Sequence, residues 1–164
     1  MQKTSLIEGL SSGRLERIVF GKLRMDTDLL EGILDVVRRE QVHTGVLLCA
    51  VGALKKATFR NVKTMPADLK VKSGNRLYLE LEQPMEIVSL TGWVATKDDG
   101  EPEVHAHFSA STVIGDGVVT LGGHLTPGTV TSIKVVVALG VIEGGAIKAA
   151  LYTRIDQFDL KMPT

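Results

Sequence analysis

Apolar and polar residues alternate along most of the chain, which is the pattern of β-strands that bury one face. Short turn signals separate most of the alternating segments, so neighbouring strands are expected to pair antiparallel. The predicted strands cover residues 14–24, 46–51, 76–81, 85–94, 103–114, 118–121, 130–139 and 152–160.

One segment has helical periodicity instead. It opens at Asp26-Thr27-Asp28 and runs to about Glu40, with apolar residues at positions i, i+3, i+4 and i+7, the spacing of a buried helical stripe. Arg38 and Arg39 near its end suit the helix dipole. The predicted fold class is therefore α+β, a mostly antiparallel β-sheet with one main helix packed on it. The apolar stripe consists of Leu30, Ile33, Leu34 and Val37.

The segment Val46–Val51 is apolar at every position. Such a run predicts a central strand that is buried on both faces. Cys49 lies within it and is expected to be a small buried residue. As the single cysteine of the chain it has no internal disulfide partner, which fits a reduced, intracellular setting.

Composition is that of an ordinary globular protein. The chain has 164 residues, of which 44% are hydrophobic and 23% charged, and its 19 basic residues balance its 19 acidic ones. This balance gives no overall bias toward nucleic acid or membrane. No apolar targeting segment or membrane span is recognisable in the sequence, so a cytoplasmic protein without a membrane partner is expected. Residues 1–13 are interpreted as a lead-in, 14–160 as one domain and 161–164 as a tail.

Three of the four histidines lie between Glu103 and Leu125. Because successive side chains of a strand point to opposite faces, His105 and His107 share a face with Ser109 and Ser111. The opposite face reads as core. It carries Val104, Ala106, Phe108 and Ala110.

The turn at residues 115–117 decides whether the third histidine joins the other two. A two-residue turn at 115–116 places His124 opposite His107, and one at 116–117 places it opposite Ser109 on the same face. A three-residue loop would place His124 opposite Phe108, on the wrong face, unless a bulge restored the parity.

Three imidazoles on one face would suit a divalent metal. His105, His107 and His124 are ligand types that zinc prefers, and three protein ligands leave a coordination position open. A lyase or hydrolase step is then chemically available. The alternative is that the histidines make ordinary hydrogen bonds. His43 lies alone in the helix-to-strand connection and is expected to be structural or exposed.

No acid or base is marked by the sequence pattern. Glu86, Glu103, Glu143 and Arg154 are candidates by residue type alone, and no order of serine, histidine and acid indicates a nucleophilic triad. Trp93 is expected to belong to the core.

The order of several motifs resembles the plant and prokaryote conserved domain, or PPC domain. The matching motifs are MDTDLLEGI, AVGAL, EQPMEIVSLTGWV, the His-Ala-His strand and GGHL, across residues 14–160. The resemblance implies a PPC-like antiparallel sheet with a packed helix, assembled as a homotrimer with sites near subunit interfaces. It also implies that His105, His107 and His124 bind a metal, with zinc as the expected cofactor. The fold is further similar to that of acetolactate decarboxylase, which has a three-histidine zinc site.

Two departures limit what the resemblance implies. The chain lacks the Arg-Gly-Arg-Pro hook of plant relatives, and Lys134 stands where members commonly have a glutamate. Three functions follow as hypotheses: a trimeric metal protein that acts on or senses a small oxygen-bearing molecule, a DNA-binding regulator, and a non-catalytic assembly module with a structural metal. The DNA contacts would come from Arg14, Arg17, Lys55, Lys56 and Arg60.

Overall fold

A computed structural model describes residues 6–163, in which most of the chain is β-sheet and a single α-helix is present. The helix α1 spans Leu29–Arg39, and Ser73–Asn75 form one 3-10 turn. The strands in chain order are β1 (Arg14–Lys22), β2 (Thr44–Val51), β3 (Ala53–Val62), β4 (Arg76–Leu81), β5 (Met85–Thr96), β6 (Pro102–Ile114), β7 (Gly117–Leu125), β8 (Val130–Thr131), β9 (Val136–Glu143), β10 (Lys148–Tyr152) and β11 (Gln157–Lys161).

The main sheet has the order β1-β9-β2-β5-β6-β7-β3-β4, and its paired strands are antiparallel. Strand β3 also pairs with β5 through Ala53 and Leu54, so β5, β6, β7 and β3 form a closed circuit. Strands β10 and β11 form a separate hairpin. The expected α+β class with a mostly antiparallel sheet is confirmed. Within residues 6–163 no helix is long and apolar enough to span a membrane.

Helix α1 begins where the sequence places it. Asp28 is its N-cap, and the Asp28 carboxylate accepts hydrogen bonds from the backbone N–H groups of Leu30 and Glu31, which satisfies two of the free donors of the first turn. The buried side of the helix is centred on Leu29, Ile33 and Val37. These side chains join the core beneath the sheet.

Strand β2 differs from the prediction that both of its faces are buried. Leu47 and Ala50 are buried, but Leu48 is 44% exposed and Cys49 is exposed as well. A bulge between Leu47 and Cys49 in the pairing with β9 turns both Leu48 and Cys49 outward, because an extra residue changes the alternation of side chains. The prediction of a buried Cys49 is therefore wrong.

The C-terminal half contains two further differences. The predicted strand 130–139 is broken between β8 and β9, where Lys134 is exposed and has a left-handed φ of +60°. The hydroxyl of Thr131 donates to the carbonyl of Arg24 at 2.8 Å, which ties β8 to the segment before the helix. The predicted strand 152–160 is instead the turn and the second strand of the β10–β11 hairpin.

The terminal segments contact each other. Residues 6–13 have no regular secondary structure, and the backbone N–H of Leu10 donates to the carbonyl of Pro163 at 3.0 Å. The remainder of the interpreted lead-in and of the tail, residues 1–5 and 164, lies outside the described residues.

Asp28 gives a test of how the helix is fixed to the sheet. Besides capping α1, its carboxylate accepts a hydrogen bond from the backbone N–H of Gly128 at 2.7 Å. We expect Asp28→Ala to lower the free energy of unfolding by about 2 kcal/mol, because the helix cap and the acceptor for the Gly128 N–H are both lost. Chemical denaturation at matched protein concentration measures the loss.

Asp35→Ala is the matched control, since Asp35 forms an exposed ion pair with Arg39 one helical turn away. Such pairs contribute about 0.3–0.5 kcal/mol. Equal losses for the two variants would contradict the assigned role of Asp28.

Candidate metal centre

The β6–β7 hairpin brings the three histidines together. A two-residue turn at 115–116 pairs Ile114 with Gly117 and places His107 directly opposite His124. Gly115 has the positive φ of +59° that this turn requires, a conformation that glycine adopts easily. This is the first of the alternatives that the sequence left open. Strand parity also places Ala106 and Phe108 in the core as predicted.

The outer side of β6 and β7 that carries His105, His107 and His124 is called the histidine face. The ligand atoms of the three imidazoles all lie within 4.8 Å of one another, and the Nε2 atoms of His105 and His107 are 3.4 Å apart. Nitrogens that are each about 2.0–2.1 Å from a tetrahedral zinc ion lie about 3.3 Å from one another. The spacing therefore fits a metal site, with a small inward movement of the third ring.

The three imidazole rings are oriented so that one nitrogen of each lies close to those of the other two. His105 and His107 are nearly parallel, with an interplanar angle of 17°, and the ring of His124 is edge-on to both. The indole of Trp93 stacks on His105 with a centroid distance of 5.2 Å. Trp93 was expected in the core, but it lies half-buried on the histidine face because β5 places it directly opposite His105. It limits the movement of that ring.

The surroundings of two of the three imidazoles, those of His124 and His105, lower their pKa values and so favour the neutral form. Burial, followed by the nearby Arg60, lowers the pKa of His124 to about 3. Burial also lowers the pKa of His105, with a smaller contribution from His107. Neutral imidazoles have the free nitrogen lone pair that a metal requires, so the rings of His105 and His124 are suited to metal binding at neutral pH.

Two clefts open beside the histidine face. The first cleft has a volume of about 270 Å³ and borders Glu103, His105 and His124; the second has about 210 Å³ and borders all three histidines. Arg60, Arg76 and Gln157 line both. The three histidines are thus reached from surface clefts and are not sealed in the core.

Of the four acid and base candidates, one lies beside the histidines. Glu103 lines the first cleft, and burial raises the pKa of its carboxyl group. Glu86 is exposed and borders a different cleft, Glu143 is ion-paired with Arg14, and Arg154 lines a cavity at the β10–β11 hairpin.

The remaining polar residues considered from the sequence lie outside the three-histidine group. The hydroxyl of Ser109 lies 2.9 Å from that of Ser89, and Ser111 stands opposite Glu86 in β5. His43 is exposed, as expected, with Nδ1 3.4 Å from the hydroxyl of Thr96. Lys134 lines neither cleft.

Sequence reasoning missed the cationic side of the site. The sequence suggests Arg60 only as a contact for DNA, and it marks neither Arg76 nor Gln157 as a functional residue. Arg60 lies directly opposite His124 in the β3–β7 pairing, a contact between residues far apart in the chain. Local periodicity carries no signal for such a pairing, because it gives the face of a strand and not its neighbour.

Comparisons with known proteins identify the family and the fold. The family model of the Plants and Prokaryotes Conserved (PCC) domain matches residues 10–143. Among curated proteins, none matches the chain.

Several solved structures have the same fold. A metal-containing protein from Archaeoglobus fulgidus is 23% identical, with a TM-score of 0.72 over 91% of this chain and 96% of that one. A plant- and prokaryote-conserved protein from Pyrococcus horikoshii is 25% identical, with a TM-score of 0.66 over 94% and 97%. A candidate DNA-binding protein from Bacteroides thetaiotaomicron is 14% identical, with a TM-score of 0.70 over 93% and 97%.

The lowered pKa of His124 predicts how the metal-free protein responds to acid. Its folded-state pKa of about 3 lies below the ordinary value of 6.5, so the unfolded chain binds more protons between these two pH values. The stability that the neutral form of His124 contributes is therefore fully present above about pH 6.5, and it is lost as the pH drops toward 3. Denaturation of the metal-free protein across this range measures the slope.

In His124→Gln the loss over the same range is expected to be shallower than in the parent. His43→Gln, which removes the histidine outside the cluster, should retain the slope of the parent. An unchanged slope in His124→Gln would show that this imidazole is not held neutral by its surroundings.

Proposed function

The chain belongs to the Plants and Prokaryotes Conserved domain family, and on that premise we propose that it is a homotrimeric metal-binding protein. His105, His107 and His124 are its metal ligands, and zinc is the metal that the site suits best. The protein acts on or senses a small oxygen-bearing molecule that enters from the clefts, and the three histidines would hold the metal beside it.

The observation that carries this proposal is the convergence of three imidazoles on one face of the sheet. Within residues 6–163 this is the one group of three or more metal-ligating side chains with converging ligand atoms. An all-imidazole donor set suits zinc and related transition metals better than magnesium or calcium. When bound, zinc would supply a Lewis acid with an open coordination position, which supports lyase or hydrolase chemistry.

The protein's own side chains set the conditions at that position. Trp93 stacks on one ligand ring and fixes its orientation. Arg60 stands beside another, since it pairs directly with His124 across β3 and β7. The clefts give a small molecule access to the third. The relative from Archaeoglobus fulgidus, described as metal-containing, supports the metal assignment.

Exposed apolar side chains on β1 and β2 support the trimer. Phe20 is 73% exposed and Leu15 51%, and a concentration of such residues on a soluble protein is typical of an interaction surface. These residues are called the apolar surface: Leu15, Ile18, Phe20, Val46 and Leu48.

The apolar surface is continuous with the histidine face. Directly paired residues join Ile18 through Gly140, Val46 and Trp93 to His105 across five strands, and paired residues have side chains on the same side of a sheet. A subunit that packs on the apolar surface would therefore lie beside the metal centre. Such packing agrees with the expectation, implied by the resemblance to the PPC domain, that the binding sites lie near subunit interfaces.

A structural metal is the first alternative. Three ligands from one hairpin would stiffen β6 against β7, as in an assembly module without catalytic function. Structural zinc sites are usually closed by four protein ligands. The three converging imidazoles and the adjacent clefts favour an open site instead.

DNA binding is the second alternative, and relatives described as candidate DNA-binding proteins favour it. The proposed basic contacts are, however, largely neutralised. Arg14 pairs with Glu143, Arg17 with Glu16 and Glu40, Lys55 with Asp26, and Lys56 with Glu80 and Glu82. The chain has no net charge, so the long-range attraction to phosphates is weak.

Native mass spectrometry of the zinc-reconstituted protein tests the metal and the assembly together. We expect a trimer that carries three zinc ions, and no stoichiometric zinc in the His105→Ala/His107→Ala variant. His43→Ala should retain zinc and assembly like the parent, because His43 lies outside the cluster.

Absence of zinc from the reconstituted parent would overturn the proposal. Zinc removal that lowers the melting temperature, with no small molecule binding to the loaded protein, would favour the structural alternative instead. Detection of a monomer that carries one zinc ion would support the metal site and contradict the trimer.

A salt titration tests the DNA alternative. We expect no binding to a duplex at physiological ionic strength, and no steep dependence on salt below it, because four of the five candidate contacts, Arg14, Arg17, Lys55 and Lys56, are paired with carboxylates. Fluorescence anisotropy of a labelled duplex measures both. Binding that weakens by a factor of about 10³ between 50 and 200 mM salt, the behaviour of a protein with six or more phosphate contacts, would support the regulator.

A further inference from the structure

Two arginines beside the histidine face have no acidic partner. Arg60 lies directly opposite His124 in β7 and opposite Tyr78 in β4. Arg76 precedes Tyr78 by two residues on the same strand, so it lies on the same face. Within residues 6–163 neither guanidinium forms an ion pair with a carboxylate, whereas Arg14 and Arg17 do.

This arrangement is unfavourable in the free protein. Arg60 and Arg76 are both half-buried, and burial, followed by the charge of Arg76, lowers the pKa of Arg60. Like charges that are removed from water without a counter-ion cost free energy. A bound metal would add further positive charge nearby. An anion is the partner that would relieve all three charges.

We propose that Arg60 and Arg76 bind the carboxylate of a small organic acid, and that another part of the same molecule faces the three-histidine centre. This inference rests on the proposed metal-binding function and names the ligand class for that site. A guanidinium has planar donors that match the two oxygens of a carboxylate.

The lining of the first cleft selects an organic molecule over an inorganic ion. Beside the charged groups, its wall contains apolar side chains that would contact a short hydrocarbon portion. The volume of about 270 Å³ is just below the range of about 300–1,000 Å³ that is usual for ligand sites, so the ligand is small. The apolar lining consists of Leu30, Val104, Leu125, Pro127 and Phe158.

The β10–β11 hairpin completes this wall from outside the family-matched region. Gln157 and Phe158 line the first cleft, but the family model ends at residue 143. The ammonium of Lys97 lies 5.5 Å from the ring centroid of Phe158, a cation–π contact that fixes the ring. The hairpin therefore adds an apolar contact and an amide to the cleft.

Isothermal titration of the zinc-loaded protein with acetate, butyrate, butyramide and inorganic phosphate tests the inference. We expect butyrate to bind about tenfold more tightly than acetate, because two additional methylene groups are buried. Butyramide, which lacks the charge, and phosphate, which lacks the apolar portion, should both bind more weakly than butyrate.

Variants separate the two parts of the cleft. Arg76→Gln should weaken butyrate binding by about 10- to 100-fold, the loss of charge-assisted hydrogen bonds, with zinc content unchanged. Arg76→Lys retains the positive charge but lacks the planar guanidinium group, so its affinity for butyrate should lie between those of Arg76→Gln and the parent. This variant also tests the inference if Arg76→Gln fails to fold. Phe158→Ala should reduce the preference for butyrate over acetate. Arg24→Gln is the matched control, because Arg24 is exposed and lines neither cleft.

Equal butyrate affinity in the parent and in Arg76→Gln, or tighter binding of phosphate than of butyrate, would overturn the inference. If the parent takes up zinc and binds no carboxylate, this inference fails and the metal proposal stands. If the parent takes up no zinc, the proposed function fails and this inference fails with it. Zinc content measured on the same samples distinguishes these outcomes.

Discussion

The pairing register of β6 and β7 is the constraint on which the site depends. One set of backbone hydrogen bonds places Phe108 in the core and sets His107 opposite His124. A slip of one residue would turn every side chain of the strand to the other face. The core side chains would then face solvent, so burial of Ala106 and Phe108 holds the histidines in place. Stability of the hairpin and geometry of the three-histidine group thus have the same physical origin.

The outer face of the sheet is unusual because it combines groups that each require a partner. The apolar surface on β1 and β2 exposes large hydrophobic side chains, and the histidine face presents three imidazoles beside two arginines without acidic partners in the described residues. Register connects these groups from Ile18 to His105 across five strands. Our proposals give each a partner: a second subunit for the apolar residues, a metal for the histidines and an organic acid for the arginines.

Local features were predictable from the sequence, and long-range ones were not. Alternation gives the face of each strand, and the glycine-bearing turn restricted the hairpin to a few registers, so the three histidines were grouped correctly. Helix α1 was placed to within about a residue, because its apolar spacing and its Asp28 cap agree. The position of Arg60 beside His124 depends on which strand borders β7, and periodicity does not encode strand order.

Two predictions from the sequence are wrong, one in β2 and one just before β9, and each has a local cause in the backbone. Cys49 was expected to be buried because the run around it is apolar throughout, but a bulge and an uncovered face expose it. The strand through Lys134 is broken by a left-handed residue at that position, and lysine carries no turn signal. Apolar character in a sequence indicates that a surface will be covered, but it does not say whether the same chain or another copy covers it.

X-ray absorption at the zinc edge of the reconstituted protein tests the central claim most directly, since it reports the atoms around the metal. Our account predicts three imidazole nitrogens at about 2.0–2.1 Å and an additional oxygen ligand. Sulfur at about 2.3 Å, which Cys49 would supply, or fewer than three imidazoles would contradict it.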